Sequence, residues 1–200
     1  MNRIFLVRHG QTDWTETGQH TSMTDLSLNQ QGISDARSLG KGLEGHRFST
    51  VWTSPLSRAR TTCELAGLLP HAKIDPELVE WNYGQYEGLT SQEINAVNPN
   101  WNLFIHGAPG GESVDAMKQR TSRVVDRLRT IEGDVIVFSH GHFLTALTMT
   151  WLEFNLSEGR HFTLNPSSLS ILTYKGATPV LLLWNDISHS NKKIFNIYPV

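Results

Sequence analysis

Ile4-Phe5-Leu6-Val7-Arg8-His9-Gly10 is four apolar residues followed at once by an arginine, a histidine and a glycine. A short continuous apolar run with polar flanks is the pattern of a strand buried on both faces, as in a parallel sheet. Val135-Ile136-Val137-Phe138 repeats it and ends on Ser139-His140-Gly141-His142. Phe48 to Trp52 reads as a further strand, followed by Ser54-Pro55.

Helical periodicity fills the spaces between these runs. Asn29 is an expected N-cap for a helix carrying Ile33, Ala36, Leu39 and Leu43 inward. Ser54-Pro55 is an expected N-cap with proline at the first helical position, for a helix running to about Leu69. Ser113 is an expected cap for a long helix with Val114, Met117, Thr121, Val124, Val125, Leu128 and Ile131 on one face. A last helix is expected from about His142 to Glu153. Leu169 to Tyr174 and Val180 to Trp184 read as two strands joined by a turn at 175–179. Strands alternating with helices imply an α/β fold with a mostly parallel sheet and an antiparallel edge. Two segments lack such regularity: a polar loop from Arg8 to about Leu28, and a Gly- and Pro-rich excursion over 70–111 with one short helix at Thr90 to Val97. The tail after Asn185 carries no readable pattern.

A chain of 200 residues suits one domain, 1–200, with a sizeable core. Formal net charge is −2 with no block of like charges, which argues against nucleic-acid and membrane partners. The apolar run at the start stops at Arg8, short of the core of a signal peptide. Cys63 is the one cysteine. It excludes an internal disulfide, suits a cytoplasmic location and is expected to be a core thiol among Leu56, Ala59, Ala66 and Leu69.

Three strands therefore end on chemically loaded residues: Arg8-His9, Ser54-Pro55 ahead of Arg58 and Arg60, and Ser139-His140. In open α/β sheets ligands bind beyond the carboxyl ends of the strands, so two histidines and at least two arginines are expected to converge. Arginine forks and helix N-termini match a phosphoryl group. A neutral imidazole attacks phosphorus, and nearby arginines disfavour its protonated form. A hydrogen bond from Nδ1–H to a backbone carbonyl would leave Nε2 as the attacking atom. Glu77, Glu80 and Glu87 are the available proton donors, and spacing does not choose among them. His140-Gly141-His142 lacks the Cys or Asp/Glu companions of a metal site, and no nucleotide-binding glycine motif occurs, so neither metal nor cofactor is expected.

Four stretches resemble, in order, the motifs of the histidine phosphatase superfamily in its phosphoglycerate-mutase-like branch. They are Leu6-Val7-Arg8-His9-Gly10-Gln11-Thr12, Ser54 to Thr62, Leu78 to Gly88, and Phe138-Ser139-His140-Gly141-His142. The resemblance implies a three-layer phosphoglycerate-mutase-like fold with helices on both faces of the sheet. It implies His9 as nucleophile, Arg8, Arg58 and His140 as phosphate ligands, and Glu80 as general acid and then base. The implied substrate contacts are Arg8, Thr15, Thr21, Ser22, Arg58, Tyr83, His140 and Gly141. Gly18-Gln19-His20-Thr21-Ser22 resembles the loop that closes over the substrate. Its wording and Pro109-Gly110-Gly111-Glu112-Ser113 resemble the sedoheptulose-bisphosphatase and acid-phosphatase subgroup. Two positions depart from the family: Thr15, where asparagine is frequent, and Thr145, where arginine is frequent; the second is expected to affect packing.

The implied activity is a metal-independent phosphomonoesterase acting on small, sugar-like phosphates. A phosphoglycerate mutase and a non-catalytic phosphate- or phosphoprotein-binding module are the alternatives. The stretch from Gly84 to Met117 contains no Lys or Arg, which disfavours a carboxylate-bearing substrate; His106, Trp101, Phe104, Asn98, Asn100 and Asn102 are its expected wall. Trp81, Tyr83, Tyr86, Trp101 and Phe104 read equally as core or pocket. Arg60 is expected at the surface, Glu77 in solvent, Glu87 bracing its own loop, and His142 at a helix start. Substrate identity and oligomeric state stay open.

Overall fold

The computed structural model describes residues 3–190. Six strands form one sheet: β1 (Ile4–Arg8), β2 (Thr50–Thr53), β3 (Ala72–Ile74), β4 (Val135–Ser139), β5 (Leu169–Lys175) and β6 (Thr178–Asp186), in the order β3-β2-β4-β1-β5-β6. The first four are mutually parallel, and β5 and β6 add an antiparallel edge beside β1. Side chains alternate across a strand, so Ile4 and Leu6 enter one core while Phe5 and Val7 enter the other. Helices α2 (Gln30–Gly42) and α3 (Ser57–Leu65) cover the Phe5 face with Leu39 and Cys63. Helices α6 (Val114–Arg129) and α7 (Gly141–Trp151) cover the opposite face with Met117, Val124 and Phe143. The α/β, three-layer expectation holds. Among the described residues no helix is long and apolar enough to cross a membrane.

Caps at Asn29, Thr90 and Ser113 accept backbone N–H groups as their helices begin, and α4 (Ser91–Val97) is the expected short helix. Other boundaries differ. Helix α3 starts at Ser57, because the Ser54 hydroxyl is engaged by His140 and Asp25 takes over the first turn, accepting from Ser57 N and Oγ, both at 2.8 Å. It ends four residues earlier than expected, where Gly67 turns left-handed at φ +78°. Besides the 3-10 turns, two short α-helices and one strand have no sequence expectation: α1 (Asp13–Thr17) inside the first loop, α5 (Leu103–His106) inside the excursion, and β3. Each is five residues or fewer, too short to show a period. The chain after Asn185 closes β6 and makes a 3-10 turn at Ser188–Ser190; residues 191–200 lie outside the described residues.

Helix α2 buttresses the loop after β1. A Cβ on Gly32 would lie 2.2 Å from Gln11 O, so only glycine lets the helix start against that backbone.

Candidate active site

The register Arg8↔Ser139 between β1 and β4, and Thr53↔Phe138 between β2 and β4, brings three strand ends to one edge. His9 N donates to Ser139 O and Ser54 N to Phe138 O, each at 2.9 Å. A cavity of about 290 Å³ opens there. Its wall includes Arg8, His9, Thr15, Thr21, Glu80, Tyr83 and Gly141 among the residues expected at the site.

His9 is 3% exposed. Burial first, then the guanidinium groups of Arg58 and Arg8, hold its pKa well below the usual imidazole value. Its Nδ1 stands 2.8 Å from Gly10 O. A carbonyl only accepts, so Nδ1 carries the proton and Nε2 keeps the lone pair. Gly10 N donates to Thr62 Oγ1 at 2.9 Å, which ties the His9 loop to α3.

Arg8 hydrogen-bonds Leu164 O through Nη1, while among the described residues its buried Nε has no partner. A buried guanidinium donor without an acceptor is costly unless an anion supplies one. Gly141 packs close by; a Cβ there would sit 3.3 Å from Arg8 Nε.

Glu80 is held by three backbone donors. Its Oε1 accepts from Trp81 N and Phe143 N, both at 2.8 Å, and Oε2 accepts from His142 N at 3.1 Å. Its loop is clamped by Arg120, which no motif had marked. Arg120 donates to the carbonyls of Glu77 and Val79 at 2.7 Å and of Glu80 at 3.4 Å, and pairs with Glu112 through two nitrogens. The one sequence signal was position: Arg120 follows Met117 by three residues, on the face of α6 that turns inward.

Arg58, His140 and Ser22 stand behind the cavity wall and are absent from its lining. Their polar atoms are spent on one another and on nearby loops. Arg58 Nε donates to His140 Nδ1 at 3.2 Å, and its Nη atoms donate to the carbonyls of Thr24, Ser22 and Thr21 at 2.9, 3.0 and 3.3 Å. That leaves the proton on His140 Nε2, which donates to Ser54 Oγ at 2.8 Å. Glu87 accepts from Ser22 N at 2.9 Å, from Thr24 N at 3.0 Å and from the Ser22 hydroxyl. It therefore braces the 21–24 turn rather than its own loop. Thr15 reaches the cavity, but its hydroxyl is engaged by Thr12 N and O, both at 2.8 Å.

Other expectations need correction. Glu77 is paired with Arg123 at 2.6 Å and Arg127 at 2.9 Å, not free in solvent, because the first turn of its 3-10 segment faces α6. The wall expected from 98–106 is elsewhere: Trp101 and Phe104 belong to the core with Trp81 and Tyr86. Gln19, His20, Ser91 and Phe162-Thr163-Leu164 wall the cavity instead. Thr145 also lines it, beyond a packing role. Lys118 lies on a different groove, and Arg160 is not part of the wall, so among the described residues Arg8 is the one Arg or Lys and Glu80 the one Asp or Glu that lines the cavity. Arg60 is exposed, as expected, and Cys63 is buried with its thiol pushed up to about 12. Among the described residues no group of three or more His, Cys, Asp or Glu side chains is arranged to hold a metal ion.

Three imidazoles, of His9, His140 and His142, have pKa values lowered first by burial, that of His142 to about 4. In the unfolded chain they protonate near the usual value of about 6.5. A folded pKa below the unfolded one means that the unfolded state binds more protons as pH falls, so stability drops on acidification from about pH 6.5 downward. For His142 alone the drop approaches about 3 kcal/mol by pH 4, at about 1.4 kcal/mol per pKa unit. The urea midpoint should therefore fall between pH 7.5 and 5, above the carboxylate range. Equal midpoints at the two pH values would contradict the neutral-imidazole reading.

The histidine phosphatase superfamily (branch 1) family model matches residues 4–187. An acid phosphatase of Mycobacterium tuberculosis is 36% identical over 178 residues, covering 87% of each chain. A sedoheptulose 1,7-bisphosphatase of Saccharomyces cerevisiae is 34% identical over 182 residues, covering 74% of this chain and 67% of that one. The solved structure of a Mycobacterium tuberculosis open reading frame superposes with a TM-score of 0.88 at 34% identity, over 92% of this chain and 97% of that one. With the motif residues gathered at one sheet edge, this chain belongs to the histidine phosphatase superfamily.

Proposed function

We propose that the chain is a phosphoric monoester hydrolase that works through a phosphohistidine on His9 and takes small, hydroxyl-rich phosphates such as sugar phosphates. The observation that carries the reading is a neutral His9 with Nε2 free, beside the unpaired Arg8 Nε and the anchored Glu80 carboxyl. The phosphoryl group binds against Arg8, with the Arg58 guanidinium adding positive potential from behind and His140 holding Arg58 in place. His9 Nε2 attacks phosphorus in line, the bond from phosphorus to the leaving oxygen breaks, and Glu80 gives that oxygen its proton. Glu80, now a carboxylate, takes a proton from water as the water oxygen attacks phosphorus and the phosphorus–nitrogen bond breaks. Free phosphate and the resting enzyme result, with no step that calls on a metal.

Among the described residues the wall holds no Lys and no Arg besides Arg8, so it supplies no second guanidinium or ammonium for a carboxylate on the substrate, which favours hydrolysis of a polyol phosphate over phosphoglycerate exchange. A lone buried thiol and a near-neutral charge support a cytoplasmic enzyme without nucleic-acid or membrane partners.

A phosphatase screen of sugar phosphates in EDTA, run beside a 3- to 2-phosphoglycerate exchange assay primed with 2,3-bisphosphoglycerate, tests this reading. Phosphate release should dominate. A primed exchange rate above the best hydrolysis rate would make the chain a mutase, and no turnover in either assay would make it a binding module.

A further inference from the structure

His20 and His142 stand side by side in the cavity wall, their rings 7° from parallel and 5.9 Å apart. Each has one nitrogen committed to the protein, and the two commitments are of opposite sense. His20 Nδ1 lies 2.9 Å from Leu89 O. That carbonyl only accepts, so Nδ1 is the protonated nitrogen of the uncharged tautomer, in which Nε2 is an acceptor. His142 Nδ1 lies 2.5 Å from the Tyr83 hydroxyl. Burial pushes His142 down to about 4 and the Tyr83 phenol well up, so near neutral pH both are uncharged. The hydroxyl donates to Nδ1, and Nε2–H of His142 is left as a donor. Within the described residues neither Nε2 has a hydrogen-bond partner.

The pair thus offers one acceptor and one donor from adjacent, stacked rings. A hydrogen bond to an imidazole nitrogen lies in the plane of its ring, and two stacked parallel planes do not share one in-plane oxygen. Each ring therefore calls for its own hydroxyl. We propose that His20 and His142 together read a vicinal diol on the leaving group of the substrate, one hydroxyl donating to His20 Nε2 and its neighbour accepting from His142 Nε2–H. This rests on the phosphatase reading above and names the leaving group within it. The geometry is held from outside the cavity: Gln19 Nε2 donates to Gly88 O at 2.8 Å, and His20 N donates to Leu89 O at 2.9 Å, so the His20 loop moves with the segment that carries its own carbonyl partner.

Glycerol 3-phosphate carries the diol, and 2-hydroxypropyl phosphate and 3-hydroxypropyl phosphate each lack one hydroxyl. Wild-type kcat/KM should favour the diol by about tenfold over either, the usual worth of one neutral hydrogen bond. His20→Phe and His142→Phe keep a ring in the stack without Nε2, and each should bring one of the two ratios toward one and leave the other. Equal wild-type hydrolysis of all three esters would overturn the diol reading and leave the phosphatase standing. Both ratios unchanged in His20→Phe would also overturn it, and this variant, at a partly buried position, keeps the test open if His142→Phe fails to fold. No hydrolysis of these esters or of p-nitrophenyl phosphate would sink the phosphatase reading itself.

Discussion

Replacing His9 with alanine should abolish the phosphoenzyme and cut turnover by roughly 10⁴–10⁶-fold, the scale on which losing a covalent nucleophile acts. The size follows from how much of the site is built around Nε2. Burial and two guanidinium groups keep the ring neutral, and the Nδ1–H bond to Gly10 O fixes which nitrogen attacks. The Thr62 anchor on Gly10 N and the His9 N bond to Ser139 O hold the loop that carries the ring. Alanine leaves the two backbone anchors in place and removes the ring, with its attacking atom and its Nδ1–H bond. Water in the vacated volume has no general base behind it, since Glu80 stands on the leaving-group side in the proposed chemistry. Rapid quenching without acid, using labelled substrate, should trap an alkali-stable, acid-labile phosphoenzyme in the wild type alone. If His9→Ala still accumulates it, the nucleophile is another residue.

Glu80→Gln should slow hydrolysis of a sugar phosphate by roughly 10²–10⁴-fold, the range for a positioned acid/base group. Three backbone N–H groups point at the two carboxyl oxygens. An amide satisfies the pair on Oε1 but turns an N–H toward His142 N, so some loss comes from misplacement rather than from the missing proton. Leaving-group dependence separates the two. A p-nitrophenolate needs little protonation, so a chemical loss shrinks with p-nitrophenyl phosphate whereas a positional loss does not. Equal losses for the two substrates would refute the acid assignment. A larger loss from Glu87→Gln would move the chemistry to the residue that here braces the 21–24 turn.

Much of this chain is written locally. The apolar runs at 4–7 and 135–138, the caps at Asn29, Thr90 and Ser113, and the inward face of α6 are all legible because each depends on residues a few positions apart. Parallel pairing follows from the helices between the strands, and pairing in register places Arg8, Thr53 and Ser139 at one edge. The gathering of His9 and His140 was thus implicit in where the apolar runs stop, whereas the choice of Glu80 among three glutamates was not. Boundaries failed where a distant group intervened. Ser54 reads as a helix cap, yet its hydroxyl serves a histidine 86 residues away.

By itself, the sequence determined the α/β layering, the edge at which chemistry gathers and the residue types available there, since period and strand ends are local properties of the chain. Tertiary structure alone decided how those residues are used. The Arg120 clamp on the Glu80 loop joins groups 40 to 43 positions apart. The Phe162-Thr163-Leu164 wall comes from a segment with no motif. The tautomer of His20 depends on a carbonyl 69 residues away, and that of His142 on a hydroxyl 59 residues away. A hydrogen bond assigns donor and acceptor only when its partner is in place. Composition could supply the histidines, and only folding could set which nitrogen of each carries the proton.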